Sequence, residues 1–278
     1  MGTSTPHLLF LTCVGLLVTG CKPPPDAPTG LDELNAYLFR SWEAQEQGAL
    51  ELGMFNLQAV FASMDLDVAY ADRSFGIENL STDDLEGLTL PDGADPDDCY
   101  GIGLVAGSSF TPEQNSQAII LADQTPVEPF APDVYDREFL EPTDPSCFPT
   151  RDCLVLRTDN DIVKKSSVME IPYRMYKDYR WVELSEDGLP GTGIWGILGR
   201  TWMDERGVGE SGNNTIEQSY SIDVFLPSAD NAWQATRYLG LWNETTGTVD
   251  GTDAVRALAL WGMSGMFDET EAWLEDAQ

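Results

Sequence analysis

The sequence predicts an α+β fold in which helices open the chain, an antiparallel β-meander fills its second half and one helix closes it. Apolar side chains recur at helical spacing in residues 31–64 and again in residues 253–274. Between them, residues 170–244 hold strand-like runs that are separated by short turns and by no helix. Strands that follow one another in this way pair antiparallel. We therefore expect residues 31–278 to form a single α+β domain.

The first 21 residues have the pattern of an exported and lipidated protein. The apolar run Leu8–Val18 has 11 residues, which is too short to cross a bilayer but typical of a secretory signal. After it, an aliphatic residue and two small residues precede Cys21, and these four positions resemble the lipobox of bacterial lipoproteins. No Lys or Arg precedes the run, so the positive flank usual in that family rests on the terminal amine and His7. N-terminal myristoylation would need Ser or Thr where Pro6 stands.

This resemblance implies a signal peptide at residues 1–20, cleavage after Gly20, and a diacylglyceryl group, with fatty acids such as palmitate, on the thiol of Cys21. The membrane would then be a partner through this lipid alone. Residues 21–30 are rich in proline and are expected to form an extended tether. In Gram-negative members of the family, Asp after the lipidated cysteine favours retention in the inner membrane. Because Lys22 stands there, the resemblance favours the outer membrane of the bacterial cell envelope.

The helical region 31–64 is expected to begin at a cap on Thr29 and to break at Gly48 before a second helix. Residues 65–153 have an irregular pattern with some β character. Within them, the short apolar runs 102–106 and 118–122 are typical of buried strands. Residues 126–149 contain six prolines and are predicted to form an extended loop.

Four runs predict the strands of the meander, at residues 178–184, 194–203, 219–226 and 235–242. The closing helix at 253–274 would then pack on the sheet. This order of elements is similar to that of the lipid-binding helix-grip folds, in which a curved sheet wraps a helix. The resemblance concerns the fold alone and implies no particular function.

Charge and histidine content exclude several classes of function. The chain has 47 acidic and 15 basic residues, a net charge of −32, which opposes binding to nucleic acid and to anionic lipid headgroups. Its single histidine is His7, within the predicted signal peptide. The mature chain therefore lacks the base of Ser-His-Asp and Cys-His mechanisms and the commonest nitrogen ligand of zinc, copper and haem. We expect neither a cofactor nor a metal site.

Three cysteines besides Cys21 remain in the mature chain. Cys147 and Cys153 lie in an irregular, proline-bearing stretch, and an oxidising compartment favours their pairing. We predict a Cys147–Cys153 disulfide that leaves Cys99 over, although connectivity does not follow from sequence alone.

Arginines and tryptophans inside the predicted strands are the candidate ligand-binding residues. In a chain this acidic, strand arginines could line a cleft for a carboxylate or phosphate, and exposed aromatic rings could bind sugars or apolar ligands. The alternatives are arginines that pair with neighbouring acids and tryptophans that fill the core between the sheet and the closing helix. The candidates are Arg180, Trp181, Arg200, Trp202, Arg237 and Trp242.

Two further motifs carry weaker hypotheses. Residues 191–196 match G-x-G-x-x-G, but the strand before it and the helix after it that a dinucleotide site requires are not indicated. The acidic stretch 92–98 could hold calcium but lacks the spacing of an EF-hand, so a solvated acidic loop is the simpler interpretation.

No motif identifies a catalytic residue, and two hypotheses follow. The first is a non-enzymatic envelope lipoprotein that binds a ligand or a partner through its aromatic-rich sheet. The second is a histidine-independent hydrolase that cleaves polysaccharide with two carboxylates, which would need a close Asp/Glu pair in an open cleft.

Overall fold

A computed structural model describes residues 26–44, 47–131, 133–165, 170–210, 212–228, 233–247 and 252–277. The predicted signal peptide, its cleavage site at Gly20 and the lipidation site Cys21 lie outside the described residues. Four α-helices are described: α1 (Leu31–Arg40), α2 (Gln47–Phe61), α3 (Pro112–Ile119) and α4 (Thr252–Asp276). None of the described helices combines the length and the apolar character that crossing a membrane requires.

The strands form one antiparallel sheet, which confirms the predicted α+β class. In spatial order they run β1, β2, β9, β8, β6, β5, β4, β3, with the short β7 paired to β8. The strands from β3 to β9 follow one another as a meander, so it begins at Tyr135 and not at residue 170 as predicted. Their bounds are β1 (Ser74–Gly76), β2 (Tyr100–Ser108), β3 (Tyr135–Glu141), β4 (Val155–Lys165), β5 (Glu170–Glu183), β6 (Trp195–Trp202), β7 (Gly207–Val208), β8 (Asn214–Pro227) and β9 (Ala235–Gly247).

Four local predictions are wrong. The run 118–122, predicted as a strand, overlaps the end of helix α3. A capping box begins this helix: the Thr111 side chain accepts from the backbone N–H of Gln114, and the Gln114 side chain accepts from the backbone N–H of Thr111. Residues 126–149, predicted as a loop, contain β3, which pairs with β4 because the prolines stand outside its span. The N-cap of α1 is Gly30, and Gly48 lies inside α2, so the helical region breaks between α1 and α2.

The two faces of the sheet are covered by different helices. In β8, Tyr220, Ile222 and Val224 point to one face and join a core cluster with α1 and α2. Their neighbours Ser221 and Asp223 point to the other face, towards α4. The protein therefore has three layers, with the N-terminal helices, the sheet and the closing helix in that order, and the second interface contains the space described next.

Candidate functional site: a cavity between the sheet and helix α4

A cavity of about 160 Å³, measured as the space open to the centres of water molecules, lies between α4 and strands β2, β4, β5, β6, β8 and β9. A single buried water needs roughly 10–15 Å³ on this measure, so the space is about ten times that of one water site. Most of its wall is apolar, as Ile102, Ile162, Met175, Leu239, Leu258 and Met263 illustrate. The cavity is thus large enough for an organic ligand with an apolar body.

Small residues on α4 keep this space open. Ala259 and Gly262 line it on the same helix face as Met263 and Met266. A side chain at Gly262 would collide with the ring of Phe130, which lies against the helix at this point. The helix therefore packs closely at Phe130 and leaves room beside Ala259.

The cavity shares several polar lining residues with a smaller chamber of about 40 Å³. Glu128, Lys177, Tyr179 and Asp223 line both spaces, and Arg237 lines the smaller one. Lys177 donates from Nζ to Oε1 of Glu128 over 3.1 Å. Burial opposes the charge of this ammonium group, yet the neighbouring Tyr135 and Glu128 hold the pKa of Lys177 well above its usual value. Lys177 is therefore charged at neutral pH.

Asp223 and Arg237 are the most deeply buried charged groups of the chamber, at 8% and 3% exposed. The guanidinium of Arg237 lies between two aromatic rings, 4.7 Å from the centroid of Phe225 and 4.4 Å from that of Phe267. Burial raises the pKa of Asp223, and Arg237 offsets part of this rise. Burial lowers the pKa of Arg237, against the attraction of Asp223. An arginine nonetheless stays charged in proteins, so the chamber holds a permanent positive charge.

The structure places one of the predicted ligand-binding arginines at this chamber and two elsewhere. Arg237 lines the chamber. Arg180 lies on the opposite face, where Nη1 donates to the carbonyl oxygens of Trp42 and Ala44 over 3.0 Å each. Arg200 is also on that face and donates to Glu43 over 3.1 Å. Pairing with groups of the N-terminal helical layer thus accounts for Arg180 and Arg200.

The predicted tryptophans do not line the cavity. Trp181 lies on the same face of the sheet as the cavity but packs on Phe148. Its indole Nε1 donates a hydrogen bond to the carbonyl oxygen of Phe148 over 2.7 Å. Trp202 stacks on Tyr176 at 5.1 Å between ring centroids. Trp242 is fully buried, but in the layer of α1 and α2 and not against the closing helix.

Polar residues of the cavity other than Arg237 were not predicted. Asp223 lies between Ile222 and Val224, and a polar residue inside an apolar strand is the signal that could have found it. Lys177 lies between Tyr176 and Asp178 and carries no such signal. Knowing that these strands share a face requires the register of β5, β6 and β8, which the sequence does not display.

The structure explains the G-x-G-x-x-G segment and the acidic stretch 92–98 without a bound ligand. In the G-x-G-x-x-G segment, the backbone N–H groups of Gly191 and Gly193 donate to the carboxylate of Glu183, over 3.0 and 2.6 Å. The amides that would bind a phosphate are thus taken by the chain itself. In the acidic stretch, Asp95 accepts from the backbone N–H of Asp97 over 3.1 Å. Over the part of the chain that the structure describes, no three acidic, cysteine or histidine side chains converge as metal ligands would.

The predicted disulfide between Cys147 and Cys153 is present, which confirms that pairing. Cys99 is a buried free thiol. Burial raises the pKa of this thiol to about 12, so it stays protonated and unreactive at neutral pH.

Comparisons with known proteins give likenesses of fold at low similarity. No protein-family model matches the chain, and no curated protein matches it. Among solved structures, it is similar to TTHA0849 from Thermus thermophilus, with 17% identity, a TM-score of 0.40, and coverage of 63% of this chain and 97% of that one. It is also similar to a fragment of a STAR-related lipid transfer protein from Xanthomonas axonopodis, with 12% identity, a TM-score of 0.41, and coverage of 73% and 92%. At these values the cavity, and not a relative, is the basis for the function proposed below.

Proposed function

We propose that this protein is a lipid-anchored protein of the bacterial envelope that binds an amphipathic ligand in the cavity between the sheet and α4. The apolar part of the ligand would lie along the aliphatic wall. The observation that carries the proposal is a cavity of about 160 Å³ with a mostly apolar wall and several buried polar lining residues. Such a site binds through burial of apolar surface, with a few polar groups that set orientation.

The anchor is proposed from the resemblance of residues 18–21 to a lipobox. Intact mass of the protein, expressed with its own signal and extracted from membranes without reductant, tests it. We expect loss of residues 1–20, addition of acyl groups on Cys21, and a mass two hydrogens lower for the disulfide. An unprocessed and unacylated chain would contradict the anchor and leave the cavity unaffected.

The cavity favours binding over hydrolysis of polysaccharide. Asp223, with its raised pKa, is one feature that a carboxylate-pair hydrolase would have. The other carboxylate that lines the cavity, Glu128, accepts a hydrogen bond from Lys177, so the described lining offers Asp223 no second free carboxylate to act with it. We therefore propose a non-enzymatic role.

Two alanines on α4 provide a matched test of ligand binding. Ala259 lines the cavity, whereas Ala257 on the same helix is exposed. Binding is followed through the fluorescence of N-phenyl-1-naphthylamine, an uncharged dye that brightens in apolar surroundings. We expect Ala259→Phe to weaken binding about tenfold or more, because the ring occupies the space of the ligand.

Ala257→Phe is the control, since it adds the same ring to the same helix outside the cavity. It should bind the dye as the unmodified protein does. If both variants bind alike, the dye is not in this cavity and the proposed binding site is wrong.

A further inference from the structure

Arg237 and Asp223 are buried with hydrogen-bonding atoms that the chain leaves unmatched. Nε and Nη1 of Arg237 have no acceptor among the described residues, and Oδ1 of Asp223 has no donor there. Both side chains are more than nine-tenths buried and line the smaller chamber. Buried polar groups are almost always paired, because an unmatched one loses its bonds to water and gains nothing in return. These unmatched atoms therefore indicate the chemistry that the chamber is built to receive.

The partners of the other charges in the chamber narrow that chemistry. Lys177 already donates to Glu128, so the chain itself supplies a partner for each of these two residues. A carboxylate head group would satisfy Arg237 but would bring a negative charge beside Asp223 and Glu128, which line the same space. A hydroxyl group can accept from Arg237 and also donate to Asp223. It thus matches both kinds of unmatched atom without adding charge.

We propose that the smaller chamber is the head-group subsite of the cavity, and that it takes an uncharged head that both accepts and donates a hydrogen bond, such as a primary hydroxyl. The alkyl part of the ligand would then extend from the chamber along the apolar wall formed by residues such as Leu239 and Met263. This inference rests on the proposed function and adds the class of ligand to it. A long-chain alcohol is the simplest member of that class.

Three probes that share an unbranched ten-carbon chain test the subsite in the full-length purified protein. Decanol can accept and donate a hydrogen bond, decyl methyl ether can only accept, and decanoate accepts and carries a charge. Each is titrated against bound N-phenyl-1-naphthylamine. We expect decanol to displace the dye about tenfold more effectively than the ether, the factor that one hydrogen bond to a buried charged group provides. Decanoate should also compete less well than decanol, because it meets Asp223.

A double variant separates the subsite from the cavity. Arg237→Met with Asp223→Leu removes both unmatched groups and keeps apolar side chains of similar length. Replacing both charged groups together avoids leaving one of them buried alone, so the fold is expected to persist. The readout of the variant is the ratio between the affinities for decanol and for the ether, each measured by displacement against the variant's own affinity for the dye. The variant should no longer distinguish decanol from the ether.

Arg180→Met controls for the loss of a strand arginine, because Arg180 lies on the opposite face of the sheet. It should keep the preference for decanol. Two results would overturn the head-group subsite and leave the proposed function intact. One is dye binding by the unmodified protein with no preference for decanol over the ether, and the other is a preference that persists in the double variant. Dye binding that Ala259→Phe does not weaken would overturn both. If the double variant does not fold, the comparison of the three probes on the unmodified protein decides.

Discussion

The carboxyl group of Asp178 makes the stability of the protein depend on pH in a way that can be worked from the structure. Its side chain is 3% exposed and lies 3.2 Å from Nη1 of Arg157 and 3.5 Å from Nη2 of Arg200. Burial raises the pKa of Asp178 from 3.8 to about 6, since it outweighs the attraction of the two arginines. The folded state therefore binds the proton more tightly than the unfolded chain does. The stability from this group is fully present below pH 4 and is lost as the pH rises through 6, by about 3 kcal/mol.

Urea unfolding of the protein and of Asp178→Asn at several pH values between 4.5 and 8 measures this effect. We expect the unmodified protein to lose about 2 kcal/mol relative to the variant across that range, because the variant lacks the carboxyl group of Asp178 and its titration. Glu43 has the opposite sign: its hydrogen bond from Arg157 lowers its pKa, so its contribution is lost only at lower pH. Asp161→Asn, at an exposed position, controls for the change in net charge. Parallel profiles for the protein and Asp178→Asn would refute the reasoning.

Two further predictions concern stability. Replacing Cys147 and Cys153 by alanine should lower the free energy of unfolding by about 2 kcal/mol, the loop entropy expected for their separation of six residues, and an unchanged urea midpoint would contradict it. Gly101→Ala should cost about 1–3 kcal/mol, because the added Cβ would overlap the carbonyl oxygen of Ile77. Gly76→Ala has no atom within 4 Å of the added carbon and serves as its control; equal thermal midpoints for the two variants would show that the contact does not matter.

The elements that could be predicted from the sequence are those whose polar and apolar residues follow one regular period. In strand β8, polar Ser221 and Asp223 alternate with Tyr220, Ile222 and Val224, and in helix α4 apolar residues recur from Val255 to Leu274. The run at Ala118 was misassigned because it is short and apolar, and a buried strand and the end of a helix look alike over five residues. The capping box formed by Thr111 and Gln114 just before this run is the sequence feature that indicates a helix.

The candidate site was only partly predictable because it depends on the register between distant strands. Arg237 stood out by its charge within an apolar run. Whether such an arginine faces a cavity or a helix depends on which face its strand position shares with its neighbours. Arg237 lies opposite Ala106 in β2 and Phe225 in β8. The pairing with Ala106 joins residues that are more than a hundred positions apart in the sequence. A shift of one residue in the register of β9 would have moved the side chain of Arg237 to the other face of the sheet.

The contrast between two buried arginines is the physical reason to place function on the α4 side of the sheet. Arg200, at 4% exposed, leaves only Nε unmatched, while its Nη2 pairs with Glu43 and Asp178 and its guanidinium packs on Trp42 at 4.9 Å. Arg237 is as deeply buried but has two unmatched nitrogen atoms and no carboxylate oxygen within 4.0 Å among the described residues. Burial without partners destabilises a fold, so an arrangement of this kind is expected where a ligand supplies the missing bonds. The N-terminal layer also has unmatched charged atoms, Oε2 of Glu51 and Nε of Arg200, but among the described residues only Arg237, on the side of the cavity, has two unmatched nitrogen atoms in one guanidinium.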